Sequence, residues 1–278
     1  MANPDLAQEG YLFLAFGESY IQDACDVIET LRANKDFRST DIVVLPEHYE
    51  LAHKKFKFNN IITFDPKQDK LYNNCTTSFE KNCLLPRLRF SQFIKYQYTM
   101  VLDTDVLCCY NTDNVWNFFK KQNQGVTMIG SKHNPFWHWG CWEKICESLQ
   151  IKCYETHGGL FFFNKNFLDQ IKETLKWAEH SFLNFDKFGF KRFYQGGAVD
   201  EPCFAYAFNL TNQVPVNFNE FSIMTFNLNS NDEIPTQMMT EQFQYCKMSE
   251  YIPYIHMFEK NQGSNFRTLY NKILENDH

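Results

Sequence analysis

Two carboxylates, Asp103 and Asp105, interrupt an otherwise apolar and largely β-branched run at residues 98–109. Successive side chains of a strand point to opposite faces, so both acids are predicted to share one face, with Thr104 on the other. A buried strand that ends in two acids carries a desolvation cost, which a hard divalent cation would offset. Magnesium and manganese accept one or two protein carboxylates together with substrate phosphates. The spacing therefore predicts a cation and a diphosphate, although such acids can also simply close a strand and cap the next turn.

Four further side chains have types and positions that suit chemistry. His256 closes a short apolar run, where a lone histidine is more often a satisfied core residue than a ligand. Asp200 and Glu201 begin a predicted helix, where acids are also ordinary partners of the helix dipole. Arg87 can bind a phosphate bidentately and stays charged at any working pH; the alternative is a surface pair with Glu80.

Two short segments suit ligand binding. Gly158 and Gly159 permit close approach of the backbone to a ligand, and His157 precedes them. Residues 132–142 hold three of the five tryptophans, and indole faces stack on the apolar faces of sugar rings. The segment is a candidate acceptor wall or lid, and packing over the sheet is the alternative. The 29 phenylalanines can fill a core or line such a site.

The elements that must position these residues alternate between strand and helix over the first hundred residues. An apolar run predicts a strand over 10–16, and apolar residues at helical spacing predict a helix over 20–32. Two further strands are expected at 41–45 and 60–64, around a helical turn near 47–54. This is a doubly wound α/β pattern, in which ligands bind beyond the carboxyl ends of the strands. No Gly-x-Gly-x-x-Gly follows the first strand, so a dinucleotide-binding fold has no support.

The remaining elements are predicted from shorter patterns. They are helices over 86–95, 112–122, 165–182 and 266–274, a helix that starts at Asp200, a strand at 126–129, and short strands near 214–218 and 223–228.

Composition limits the classes of function. The 278 residues suffice for one large α/β domain or two small ones, and we favour one. A net charge of −6 with no long basic cluster disfavours nucleic-acid binding. No run approaches 18 apolar residues, and residues 1–10 lack the features of a signal peptide, so we expect a soluble, cytoplasmic protein without a transmembrane segment. The ten cysteines include no Cys-x-x-Cys pair, so we expect reduced thiols and no zinc site.

The segment from Lys95 to Leu107 is similar to the metal-binding segment of GT-A glycosyltransferases. It most resembles glycosyltransferase family 8, the glycogenin and bacterial galactosyltransferase group. The resemblance implies a Rossmann-like α/β GT-A fold with a mixed, mainly parallel central sheet flanked by helices. It also implies one domain over residues 1–278, in which residues 10–110 bind nucleotide and metal and residues 111–278 bind the acceptor and the donor sugar.

The resemblance assigns roles on the nucleotide side. Residues 16–21 resemble the family's opening segment, in which an aromatic residue stacks on the uracil of the donor, so Tyr20 and its neighbour Phe16 are donor-site candidates. Arg87 matches an arginine that contacts the donor. His256 matches the third protein ligand of the metal, beside Asp103 and Asp105, and Thr104 lies within that donor site. Lys260 stands loosely in place of a phosphate-binding lysine.

Two further blocks concern the sugar. Residues 156–164 resemble the family's Asn-Ala-Gly-Val segment near the donor sugar, with His157 in place of Asn and Gly158, followed by Gly159, in place of Ala. Residues 195–207 resemble an acidic helix start that approaches the reacting carbon, where Asp200 matches the family's Asp and Glu201 its Gln. Pro202 replaces a second Asp. Catalytic candidates are therefore Asp200, Glu201 and His157.

The activity implied is transfer of a sugar from a nucleoside diphosphate sugar, a UDP-sugar, to an acceptor hydroxyl on a glycan or glycoprotein, with Mn²⁺ or Mg²⁺ and with retention. An inverting enzyme would instead need a base, for which Glu201, Asp200 or His157 could serve. Two alternatives belong to other classes: a metal-dependent nucleotidyl or phosphoryl transferase, and a catalytically inactive sugar-binding protein. No pattern predicts the oligomeric state.

Overall fold

The computed structural model describes residues 8–135, 137, 140–192, 196–217, 223–226, 253–256 and 264–275. Its strands are β1 Glu9–Ala15, β2 Ser39–Val44, β3 Asn60–Thr63, β4 Tyr98–Leu102, β5 Val106–Cys108, β6 Val126–Ser131, β7 Glu155–Asn164, β8 Val216–Asn217, β9 Met224–Phe226 and β10 Tyr254–His256. Its α-helices are α1 Glu18–Ala33, α2 Tyr49–Lys55, α3 Leu85–Arg87, α4 Phe90–Phe93, α5 Asp113–Lys120, α6 Trp142–Leu149, α7 Leu168–Leu183, α8 Asp200–Leu210 and α9 Ser264–Glu275. None of these helices is long and apolar enough to cross a membrane.

Seven strands form one mixed sheet in the order β3-β2-β1-β4-β7-β6-β8. β1 runs parallel to β2 and β4, β2 runs parallel to β3, and β6 runs parallel to β8. β7 is antiparallel to both of its neighbours, β4 and β6. A second, three-stranded sheet has the order β5-β10-β9. The predicted α/β class, with a mixed and mainly parallel central sheet flanked by helices, is confirmed.

The strongly periodic elements of the first hundred residues, β1 to β3 with α1 and α2, lie close to their predicted positions. The prediction of a single helix over 86–95 is wrong. A π-helical turn, Glu80–Leu84, leads into α3, and the backbone of Arg89 is not helical, so α4 starts anew. The Arg89 guanidinium there pairs with Asp69 at 2.5 Å and Glu179 at 2.7 Å, contacts that local periodicity does not encode. α6 was not predicted at all.

The sheet separates two apolar layers, and β7 contributes to both because its side chains alternate. Phe161 and Phe163 lie on one side, each with its ring centroid 5.1 Å from that of Phe90. Phe162 lies on the other side, with its ring centroid 5.6 Å from that of Trp116. Phe161, Phe162 and Phe163 therefore fill the core.

A buried polar network attaches the second sheet to the first. The hydroxyl groups of Tyr254 on β10 and Tyr11 on β1 lie 3.0 Å apart. Tyr11 also donates to Asp36 at 2.6 Å and accepts from the indole N–H of Trp116 at 2.8 Å. All four side chains are buried, so this end of β10 is firmly held. His256 is the last residue of the same short strand.

Candidate active site

The two acids of the predicted metal site lie on a turn that follows β4. β4 ends at Leu102, and the backbone N–H of Val106 donates to the Asp103 carbonyl at 3.1 Å. The N–H of Asp103 donates to the carbonyl of Gly159 on β7, also at 3.1 Å. The chain thus leaves the sheet at Asp103, so the prediction that the alternation of a strand aligns the two acids is wrong. The turn itself brings the carboxylates together, with the buried Thr104 between them.

His256 reaches the acids through strand pairing in the second sheet. β10 is antiparallel to β5, and His256 lies opposite Val106, the residue that follows the turn. Its Nε2 atom is 3.2 Å from Oδ1 of Asp105. One ligand atom from each of Asp103, Asp105 and His256 can be chosen so that all three lie within 4.8 Å of one another. The fold therefore brings together the three residues for which a metal role was predicted.

The electrostatics of this cluster fit a divalent cation. Burial raises the pKa of Asp103, the Arg87 guanidinium lowers it and Asp105 raises it again, with a net rise. Burial lowers the pKa of His256, but the Asp105 carboxylate raises it above its ordinary value. A pocket that raises both pKa values favours the uptake of positive charge. Carboxylate oxygens suit Mg²⁺ and Mn²⁺, and an imidazole nitrogen is accepted by transition metals.

The glycine pair on β7 is required by side chains packed against it. A Cβ atom at Gly159 would lie 2.6 Å from Nδ1 of His256. A Cβ atom at Gly158 would lie 2.7 Å from both Nη1 of Arg87 and Oδ2 of Asp200. Any larger residue would displace these groups, so the two glycines allow the metal cluster and the start of α8 to meet on β7.

Arg87 connects the metal cluster to the acidic start of α8. Its Nη1 atom donates to Oδ2 of Asp200 at 2.5 Å, and its Nη2 atom donates to Oδ1 of Asp103. The side chains of Arg87 and Asp200 are 12% and 5% exposed, so this is an interior ion-pair chain. The alternative of a surface pair between Arg87 and Glu80 is wrong, because Glu80 is fully buried and pairs with Arg192 at 3.0 Å.

Glu80 fixes the loop that leads into α8. Its Oε1 atom accepts from the N–H of Ala198 at 2.7 Å, and its Oε2 atom accepts from the N–H of Thr77 at 3.1 Å and from that of Thr76. Burial raises the pKa of Glu80, but the backbone N–H groups of Ala198 and Thr76 lower it more, so the pKa lies below its ordinary value. The carboxylate is thus held as an anion between two loops that flank the site.

Replacing Glu80 with glutamine is expected to cost about 1–3 kcal/mol of unfolding free energy at pH 7, because an uncharged amide must face several buried N–H donors. Since the pKa in the folded state is depressed, the wild-type advantage exists above the unfolded value of about 4.3 and is lost as the pH falls through the folded value. Thermal melts at pH 7 and pH 3.5 measure this. Glu147→Gln, at an exposed position of α6, is the control and should melt like wild type. An equal destabilisation by Glu80→Gln at both pH values would contradict the assignment.

Glu201 lies beside His157. Its Oε1 atom accepts from the N–H of Gly158 at 3.1 Å and lies 3.7 Å from Nδ1 of His157. The other ring nitrogen of His157, Nε2, is 3.2 Å from Oε1 of Glu155. Burial raises the pKa of Glu201 to about 7, while His157 lowers it and Asp200 raises it. A carboxyl group that titrates near neutrality is suited to acid–base chemistry.

The donor-site candidates near the start of α1 differ in accessibility. Tyr20 is 42% exposed. Burial raises the pKa of its hydroxyl group, and the nearby Cys83 and Asp105 raise it further, so its ring lies near the turn that carries Asp103 and Asp105. Phe16 is 7% exposed and packs edge-on against Phe64, with ring centroids 6.1 Å apart. Its side chain therefore belongs to the core. Lys260 lies outside the described residues.

Two tryptophans of the predicted acceptor wall are core residues. Trp137 and Trp142 are 2% and 1% exposed, and their rings meet edge to face with centroids 4.9 Å apart. Trp142 also packs on Phe190 at 5.7 Å. The alternative of packing over the sheet thus holds for both, because neither indole face is free to receive a sugar. Trp139 lies outside the described residues.

Comparison with known proteins identifies the fold. No protein-family model matches the sequence, and no curated protein matches it. A solved structure of the galactosyltransferase LgtC, bound to donor and acceptor sugar analogues, aligns with a TM-score of 0.58 over 96% of this chain and 95% of its own, at 10% identity. The chain has a GT-A fold. Mouse xyloside xylosyltransferase 1 aligns with a TM-score of 0.57 over 89% of this chain and 97% of its own, at 13% identity.

The sequence did not indicate the roles of three residues in or near this site. Glu155 lies two residues before His157, and the period of a strand could have placed both on one face. Cys83 lies four residues before Arg87, a helical spacing; burial raises the pKa of its thiol to about 12. Nothing in the sequence around Glu80 indicates that it contacts a loop more than a hundred residues away.

Proposed function

We propose that this GT-A chain is a metal-dependent glycosyltransferase that transfers a sugar from a UDP-sugar to a hydroxyl group of a glycan or glycoprotein acceptor. The observation that carries the proposal is the convergence of Asp103, Asp105 and His256 from two sheets at one point beside the first turn of α8. A nucleotide's phosphates would complete the coordination of an ion held there. The exposed ring of Tyr20 lies within reach of the same turn and would stack on the base.

Some residues of the chain would act on the leaving diphosphate, and others would act on the sugar. Asp103, Asp105 and His256 would hold a Mn²⁺ or Mg²⁺ ion, which when bound would neutralise charge developing on the departing diphosphate. Arg87 holds Asp103 and Asp200 in fixed positions, and Lys260 is proposed to bind phosphate. Positive charge that develops on the sugar's anomeric carbon would be stabilised by a nearby carboxylate, from Asp200 or Glu201.

The stereochemical course is a separate part of the proposal. Resemblance to family 8 supports retention of the anomeric configuration. Inversion is the alternative, in which Glu201, Asp200 or His157 would deprotonate the acceptor. The anomer of the product, read by proton NMR before it equilibrates, distinguishes the two courses.

A panel of UDP- and GDP-sugars, incubated with MnCl₂ and assayed for release of the nucleoside diphosphate, tests the activity. Release that stops with EDTA and resumes with added Mn²⁺ is expected. Formation of pyrophosphate or a nucleoside monophosphate would instead indicate a nucleotidyl or phosphoryl transferase. Saturable donor binding without any release would indicate an inactive sugar-binding protein.

Tyr20→Ala is expected to raise the donor KM about tenfold with little change in kcat, because a stacked base contributes about 1–3 kcal/mol in both the ground state and the transition state. Tyr49→Ala is a matched control, since Tyr49 is 41% exposed and Tyr20 is 42% exposed. Steady-state kinetics with the preferred donor measure both variants. An unchanged KM in Tyr20→Ala would mean that the ring does not contact the donor.

A further inference from the structure

The imidazole of His157 lies between two carboxylates. Its Nε2 atom is 3.2 Å from Oε1 of Glu155, and its Nδ1 atom is 3.7 Å from Oε1 of Glu201. All three side chains are 13–15% exposed, so the charges interact with little screening by water. Asn134 donates to the other oxygen of Glu155 at 2.9 Å and thereby orients it toward the ring. Each ring nitrogen of His157 thus faces a carboxylate oxygen.

The two acids at the start of α8 have different partners. Asp200 accepts a hydrogen bond from the buried guanidinium of Arg87 at 2.5 Å. Glu201 forms no ion pair with a lysine or arginine within the described residues. The groups that face it are the N–H of Gly158 and the imidazole of His157 from β7, Asp200 from its own helix, and Arg87 from α3.

Burial and Asp200 both favour the protonated form of Glu201, and burial raises its pKa to about 7. Among the groups around Glu201, His157 lowers its pKa most. Removing His157 would therefore raise the pKa of Glu201 further and lower the fraction of Glu201 that is charged near neutral pH.

We propose that His157, oriented by Glu155, is a positioning residue that keeps the Glu201 carboxylate negatively charged beside the reacting sugar carbon. The inference rests on the proposed function, because a glycosyl transition state carries positive charge that an anion stabilises and a neutral acid does not. An asparagine at this position has no ionisable group and could not act on the charge of Glu201. The proposal takes Glu201 as the carboxylate that acts at the sugar, whether the course is retaining or inverting.

The first test is the pH dependence of kcat/KM between pH 5.5 and 8.5 for wild type, His157→Asn and Glu155→Gln. If activity needs an anionic Glu201, it rises with pH through the pKa of that group. An opposite charge nearby commonly shifts a carboxyl pKa by one unit or more, so His157→Asn should be about tenfold slower at pH 6.5 and should recover as the pH rises. Glu155→Gln should shift the pH profile of kcat/KM in the same direction, but by a smaller amount. The donor KM should stay near the wild-type value.

The controls separate this effect from structural damage. His53→Asn removes an exposed histidine of α2 and should reproduce the wild-type profile. Glu201→Gln keeps an oxygen for the Gly158 N–H and should remove the acid limb, leaving a low rate at every pH. A His157→Asn rate that is lowered equally at all pH values, or a profile that coincides with wild type, would overturn the proposal.

The second test needs no activity. In protein labelled with ¹³C at the glutamate carboxyl carbon, the Glu201 resonance is assigned by its absence from Glu201→Gln. Its titration midpoint should move to higher pH in His157→Asn, and an unmoved midpoint would overturn the proposal. If wild type releases no nucleoside diphosphate from any donor while the midpoint moves as expected, the proposed function fails, and the charge coupling between His157 and Glu201 stands.

Discussion

Replacing Asp105 with alanine is expected to lower kcat/KM by about a thousandfold or more while the protein still unfolds cooperatively. Stabilisation of the leaving diphosphate by a bound ion contributes several kcal/mol, and a thousandfold loss corresponds to about 4 kcal/mol. The Asp105 side chain is 23% exposed, and its Oδ1 atom is 3.2 Å from Nε2 of His256. Its removal deletes one ligand and also removes the carboxylate that raises the pKa of His256.

The stability of this variant should change little, which distinguishes the prediction from simple unfolding. Asp105 also raises the pKa of the neighbouring Asp103, so the two carboxylates repel each other and the deletion relieves that repulsion. Nucleoside diphosphate release, a thermal melt and calorimetric titration with Mn²⁺ are the three measurements. Asp169→Ala removes a carboxylate that is fully exposed on α7 and should leave all three unchanged. A wild-type rate in Asp105→Ala would contradict the assignment of Asp105 as a metal ligand.

The opening strands and helices could be predicted because local pattern and tertiary environment agree there. β1 is apolar from Gly10 to Ala15 and mostly buried, and α1 carries its apolar residues, among them Ile21, Ile28 and Leu31, on one buried face. Periodicity is decisive in such elements, since every turn of the helix meets the same sheet. The break at Arg89 is different, because it depends on Asp69 and Glu179, which lie about twenty and ninety residues away.

The two acids converge as expected, although the local argument for their convergence was incorrect. Strand alternation was expected to align Asp103 with Asp105, whereas a turn stabilised by hydrogen bonds to Gly159 and Val106 does so. The spacing of two residues suits both geometries, so the sequence could not distinguish them. His256 could be assigned only through resemblance, because its position depends on the pairing of β10 with β5 across nearly 150 residues.

Arg87→Met is expected to cost about 3–5 kcal/mol of unfolding free energy, because it leaves Asp103 and Asp200 buried without their shared cation. Both carboxylates accept from this one guanidinium, and the Asp200 side chain is only 5% exposed. Lysine cannot bridge two carboxylates with a fixed fork, so Arg87→Lys should recover only part of the loss. Urea unfolding at pH 7.5 measures the effect, with Lys172→Met, at a side chain 59% exposed, as a control that should cost almost nothing.

The same variant should bind Mn²⁺ more tightly than wild type although its turnover is lost. Arg87 places one positive charge against the carboxylate of Asp103 that must also face the ion, and removing that charge at this range strengthens cation binding by about tenfold. The pH dependence gives an independent check. Without Arg87, which lowers the pKa of Asp103, that pKa rises further above its unfolded value, so the variant's stability should fall as the pH increases from 5 to 8. A variant that loses stability equally at pH 5 and pH 8 and binds Mn²⁺ no better than wild type would show that Arg87 packs the core without balancing these charges.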